Sequence, residues 1–174
     1  MSGPSVHHIL EPFVSLIIRN PESRAEAARK MQKAVEDQLQ YIPSAVAQSA
    51  LISRLAESGV DLINFESKDI KYKRAGLTIF SSLLDINDDV LPERRMQMGA
   101  SCFNILGNER QSLEESADVL RMAAEAIGHI AHVATMQELE MVQRDFLSSA
   151  VKVDSTSRLP CPYASPNFPQ YRSI

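Results

Sequence analysis

Ala27-Ala28-Arg29-Lys30-Met31-Gln32-Lys33-Ala34-Val35 is one of three related stretches in this chain. The others are Ala75-Gly76-Leu77-Thr78-Ile79-Phe80-Ser81-Ser82-Leu83 and Ala123-Ala124-Glu125-Ala126-Ile127-Gly128-His129-Ile130-Ala131. Their first residues stand at 27, 75 and 123, so the pattern returns every 48 residues. In each copy the first small residue is followed at steps of four by apolar anchors: Met31 and Val35, Ile79 and Leu83, Ile127 and Ala131. Steps of four keep to one face of a helix, so each copy predicts a helix with a buried stripe. The opening small pair lets a neighbouring backbone come close, near the lower end of the usual interaxial range of about 8–10 Å. Self-similarity at this period signals stacked helical repeats, an architecture that serves mainly as a surface for partners.

The composition suits helix-on-helix packing. Of 174 residues, 44% are hydrophobic and 23% charged, as in an ordinary soluble domain, while only 6% are aromatic and Trp is absent. Six Gly are too few for an all-β chain rich in tight turns. The net charge of −4 argues against an extended nucleic-acid surface, where affinity comes from neutralising phosphates. Lys68, Lys71, Lys73 and Arg74 cluster locally, but Asp69 sits among them, and they read as a solvated helix end. Cys102 and Cys161 are far apart and offer neither a paired framework nor zinc spacing, which fits a reducing compartment. No run approaches the ~18 apolar residues of a membrane span, and Glu11-Pro12 interrupts the only leader-like stretch. A soluble, cytosolic protein without membrane insertion is expected.

Along the chain the pattern predicts seven helices. Val6 to Ile18 holds the first, kinked or delayed by Pro12. Asn20-Pro21-Glu22 offers a cap, a Pro at the first helical position and an acidic first turn for a second helix ending near Gln40. Pro43-Ser44 restarts the chain, and Val46, Ile52, Leu55, Val60, Leu62 and Ile63 carry a stripe to about Phe65. Ser67 is a candidate cap for the helix of the second copy, which ends near Asp85. Leu91-Pro92-Glu93 opens a helix stopped by Gly107-Asn108. Leu113 to Ala131 holds the third copy, and Thr135 with Glu138 has capping-box spacing for a seventh helix through Leu139, Val142 and Phe146. The expected architecture is all-α, a HEAT/armadillo-like solenoid of antiparallel hairpins over residues 5–153, three hairpins plus one helix. Residues 154–174 hold four of the nine prolines and are expected to form a disordered tail. The unmatched seventh helix predicts a fragment of a longer array.

The chemical motifs are weak. Asp85-Ile86-Asn87-Asp88-Asp89 starts like a calcium loop, but Val90 and Met96 stand where Gly and an acidic ligand are needed. His129 and His132 are three apart on a helix, with no Cys or carboxylate completing a metal site; one is expected at a helix interface and the other in solvent. His7 and His8 are adjacent and would point apart on a helix. Arg144-Asp145-Phe146-Leu147 lacks the Gly of the kinase Asp-Phe-Gly motif, and no Gly-rich or catalytic loop accompanies it. Cys102 reads as core and Cys161 as an exposed, unactivated thiol. No catalytic, cofactor-binding or metal-binding residue is therefore assigned within the chain.

Asn20-Pro21-Glu22-Ser23-Arg24-Ala25-Glu26-Ala27-Ala28 resembles the turn into the second helix of a HEAT repeat, and so does the segment from Val119 to Ala131. The order of segments is similar to the extreme N-terminal solenoid of target-of-rapamycin (TOR) kinases. It runs from the Arg-, Glu- and Ala-Ala-rich unit to the basic helix Lys73-Arg74-Ala75-Gly76 with its apolar run to Asp85. The Arg94-Arg95 helix, Ala126-Ile127-Gly128 and the helix Glu140 to Leu147 follow. The resemblance spans about residues 6–150. Met98-Gly99-Ala100-Ser101-Cys102 departs from it in lacking aromatic and basic character, and nothing after Val153 matches. The resemblance implies a parent serine/threonine kinase of nutrient and growth signalling. It also implies regulatory protein subunits of a TOR-type complex as partners, and a cytoplasmic location at endomembranes reached through those partners. ATP and Mg would belong to a kinase domain outside these residues, and no nucleic acid or small-molecule substrate is implied here. The alternatives are a HEAT or armadillo adaptor unrelated to a kinase, a small helical metal enzyme built on His129 and His132, and a truncated product with no stable role.

Overall fold

The computed structural model describes residues 4–65, 69–86, 90–107, 113–141 and 143–144, and side chains from these apart from 113–116. Six helices and one 3-10 turn make up the named elements: α1 Glu11–Arg19, the turn Pro21–Ser23, α2 Arg24–Gln40, α3 Ala45–Asn64, α4 Ile70–Ile86, α5 Pro92–Gly107 and α6 Leu113–Val133. Residues 136–141 are again helical, and no strand occurs among the described residues. The all-α expectation is borne out. No described helix is long and apolar enough to cross a membrane.

Local chemistry explains the boundaries. Pro12 sits in the first turn of α1, which delays the helix to Glu11 rather than kinking it. The Asn20 side chain accepts from the Glu22 N–H at 3.1 Å, and Pro21 follows at the first position of the 3-10 turn that leads into α2. Ser44 caps α3 by accepting from the Ala47 N–H at 3.4 Å. Gln48 then donates to the carbonyls of Leu39, in the last turn of α2, and of Ile42, just past its end, at 3.1 and 2.8 Å. At the start of α4 the Lys71 N–H donates to Asp69 at 3.0 Å, so an acidic side chain fills the capping role that the sequence suggested for Ser67. Ser67 itself lies outside the described residues, as do 87–89, Asn108, Val142, Phe146 and the segment 154–174.

Consecutive helices pack in pairs, α1 on α2, α3 on α4 and α5 on α6. Across the pairs, α4 lies between α2 and α6, α3 meets α5, and α1 reaches α4. Burial follows from this placement. Nine residues of α4 are buried, among them Leu77, Ile79, Phe80, Leu83 and Leu84, and each such large side chain contributes about 1.5–3 kcal/mol. In α2, which is covered on one side, burial is confined to Ala27, Met31 and Val35. Polar groups inside α4 are satisfied locally: Thr78 donates to the Arg74 carbonyl at 2.7 Å and Ser82 to the Thr78 carbonyl at 2.9 Å.

The small pair of the second copy performs the predicted close approach. A Cβ on Gly76 would stand 2.7 Å from the Gly59 carbonyl oxygen and 2.6 Å from Ile63 Cγ1. A Cβ on Gly59 would meet Phe80 at 2.6 Å and the Gly76 carbonyl oxygen at 3.3 Å. The α3–α4 seam is therefore a reciprocal glycine contact, with no room for a side chain on either backbone.

Two expectations need correction. Val46, assigned to the α3 stripe, is 81% exposed, because the first turn of α3 (Ala45, Val46, Ala47) is left uncovered by every other element. Of the three stripe positions of the third copy only Ala123 is buried, while Ile127 is half-buried and Ala131 exposed. A strict step of four drifts by about 40° around a helix of 3.6 residues per turn. The α6 arc turned inward is instead Val119, Met122, Ala123, Ala126 and Ile130.

Candidate functional site

The layer formed by α2, α4 and α6 carries two polar bridges that span all three helices. At one end, Gln32 of α2 donates to Asp85 of α4 at 3.0 Å, and Asp85 faces His129 Nδ1 of α6 at 3.9 Å. At the other end, Asp118 of α6 gathers Arg121 at 2.8 Å, Arg74 of α4 at 3.4 Å and Arg24 of α2 at 3.8 Å. Burial works against ionisation of Asp118. The Arg121 hydrogen bond and the charges of Arg24, Arg121 and Arg74 outweigh it and hold the carboxyl below the usual range. Arg121 is shared with Glu125 at 2.8 Å, one turn further on.

Beyond α6 lies an apolar groove of about 330 Å³, bordered by Met96, Gly99 and Phe103 of α5, Ile127 and Ala131 of α6, and Leu139. The two positions of the third copy that left the core are thus part of its wall. One edge is made by Arg95 and Glu138, a buried ion pair at 2.8 Å. Arg95 also donates to the Val90 carbonyl at 2.7 Å. Glu138 accepts from the Thr135 N–H at 2.6 Å, while its own N–H donates to Thr135 Oγ1 at 3.3 Å. The predicted capping box is therefore formed, and its acid also anchors α5. Burial raises the cost of charge on Glu138, yet the Thr135 N–H and the Arg95 guanidinium prevail and keep its pKa below the ordinary carboxylate value.

The residues singled out by motif do not converge. His129 is half-buried beside Asp85 and His132 is exposed, so one stands at a helix interface and the other in solvent, as expected of the pair. Among the described residues no three His, Cys, Asp or Glu side chains gather as a metal site requires. His7 and His8 do not point apart: their rings lie 4.3 Å from centroid to centroid. They precede α1, in a turn where the His7 N–H donates to Ser58 at 3.0 Å, so helical geometry does not separate them. Burial first, then the charges of His8 and Arg54, lowers the pKa of His7. Cys102 is fully buried and its thiol is pushed up to about 12 by desolvation, the inert core role expected of it. Cys161 and Asp145-Phe146-Leu147 lie outside the described residues. The basic cluster also differs from the reading as a solvated helix end: Arg74 is turned toward Asp118 with 14% of its side chain exposed.

No protein-family model, curated protein or solved structure matches this chain.

The arginine gathering and the Arg95–Glu138 pair were not foreseen from sequence. Arg24, Arg74 and Asp118 belong to different helices, and only their offsets from the three pattern copies, just before Ala27, Ala75 and Ala123, hint that they share one end of the layer.

Proposed function

We propose that this chain is part of a HEAT-like α-solenoid scaffold, similar to the N-terminal region of a TOR kinase, that holds regulatory protein subunits. The observation that carries this reading is the equivalence of Ala27, Ala75 and Ala123. All three have zero exposure at 48-residue intervals, on three helices where α4 packs against both α2 and α6. Small buried residues at equivalent places let successive helices of a layer approach closely. That is how a repeat array transmits one geometry from unit to unit. The polar bridges on the same three helices leave a charged face for partners, while the stripes hold the stack together. On this reading the apolar groove beyond α6 is where the array continues, and Ser/Thr phosphorylation belongs to the parent kinase rather than to these residues.

Complete sequencing of the transcript that encodes the chain tests the parentage. A serine/threonine kinase domain in the same reading frame is the expected result. A complete frame of helical repeats with no kinase domain would instead assign the chain to the adaptors of transport or phosphatase assemblies.

A further inference from the structure

Three guanidinium groups converge on Asp118 from three helices, drawn from positions as distant as 24 and 121. Asp118 accepts a hydrogen bond from Arg121 Nη2 at 2.8 Å. Arg24 and Arg74 reach the same carboxylate only as ion pairs, at 3.8 and 3.4 Å. Among the described residues neither of these two guanidiniums donates a hydrogen bond to a protein acceptor. Each therefore keeps the forked donor set that suits a tetrahedral or planar oxyanion. Both stems are largely covered, with 29% of the Arg24 and 14% of the Arg74 side chain exposed, so the heads are held in place rather than spread through solvent. Among the described side chains, these three positive groups are met by two negative ones, Asp118 and Glu125. Bringing like charges together is unfavourable, and an incoming anion relieves it.

We propose that Arg24, Arg74 and Arg121 form a docking point for a phosphate monoester carried on an acidic peptide of a partner protein. The inference rests on the scaffold reading for the origin of that partner, but not for the anion chemistry. Arg clusters of this kind read phosphorylated and acidic motifs. A phosphate supplies three acceptor oxygens, enough to engage Arg24 and Arg74 together while Asp118 keeps Arg121 in position. The approach is across the α2–α4–α6 layer, the one face on which all three arginines meet.

The test uses the full 174-residue chain and a short fluorescent peptide carrying phosphoserine between glutamates, followed by anisotropy. Its unphosphorylated twin and inorganic phosphate serve as separate arms. Saturable binding of the phosphopeptide is expected, at least about tenfold tighter than the twin, as one charge-assisted hydrogen bond implies. Arg24→Gln and Arg74→Gln should each weaken it about tenfold. Asp118→Asn removes the competing carboxylate and should tighten it about two- to fivefold, the size of an exposed charge term. A purely structural role for the cluster would instead make Asp118→Asn neutral or weakening. Equal affinity of the wild type and both Arg variants overturns the proposal, and so does competition by inorganic phosphate at the peptide's own affinity or by a single-stranded oligonucleotide. A phosphopeptide that fails to bind sinks the docking point but leaves the kinase-domain result of transcript sequencing untouched, so the two readings fail separately.

Discussion

Replacing Gly76 with alanine tests the packing on which the repeat reading depends. The new Cβ would stand 2.7 Å from the Gly59 carbonyl oxygen, 2.6 Å from Ile63 Cγ1 and 3.2 Å from Ile63 Cδ1. A carbonyl in mid-helix cannot swing away, so α3 and α4 must separate along a seam that carries the wholly buried Phe80. Overpacking of this kind costs about 1–3 kcal/mol. Alanine returns about 0.8–1 kcal/mol of helix propensity. The net expectation is a loss of up to about 2 kcal/mol, or up to about 6 °C in Tm for a domain of this size. Gly128 is the control: it is exposed within α6, and nothing lies within 4 Å of its Cβ position. There only the propensity remains, and Gly128→Ala should gain about 1 kcal/mol. Thermal and urea unfolding of the two variants against the parent reads both signs. A Gly76→Ala protein as stable as Gly128→Ala would refute the close-contact argument.

Glu138→Gln should cost about 3 kcal/mol, because it breaks a buried ion pair from one side. The depressed pKa of Glu138 stabilises the fold above the ordinary carboxylate range, and the benefit disappears as pH falls through the folded value. The stability gap between Glu138→Gln and wild type should therefore narrow in acid, and a constant gap in a pH series of urea melts would count against it. Cys102 should resist alkylation in the native state at neutral pH and react once urea unfolds the chain, as site-resolved mass spectrometry would report; rapid native labelling contradicts its burial. Ile79→Ala, at a wholly buried position of the second copy, should cost about 2–5 kcal/mol. Ile127→Ala, at the matching position of the third copy but only half-buried, should cost clearly less, and equal losses would restore the strict step-of-four stripe.

What could be read from the chain was whatever depends on near neighbours in sequence. Asn20, Ser44 and the Thr135–Glu138 box announce their helix starts because a cap bonds within three residues of itself. Ala27, Met31, Val35, Ala75, Ile79 and Leu83 announce their burial because helical spacing fixes which side they share. The third stripe failed at Ala131 because the direction of a helix's buried arc is chosen by its neighbours, here α4 and α5, and not by the helix alone. The Asp118 gathering and the Arg95–Glu138 pair failed for the same reason at longer range. Arg95 and Glu138 are 43 residues apart, and although the capping box marks Glu138, nothing local pairs it with Arg95. His7 and His8 were misjudged from an assumed helix that starts only at Glu11.

Cross-linking mass spectrometry of the native complex, captured with an antibody to α2 and resolved under denaturing conditions, tests the central claim most directly. Lys30 and Lys33 of α2 and Lys71 and Lys73 of α4 are the natural reporters, spread over two of the three layer helices. The scaffold account predicts kinase-domain peptides in the same polypeptide band as these helices, and cross-links from at least one of the four lysines to a separate regulatory subunit. A band without kinase peptides, with these lysines linked only within their own chain, would contradict it.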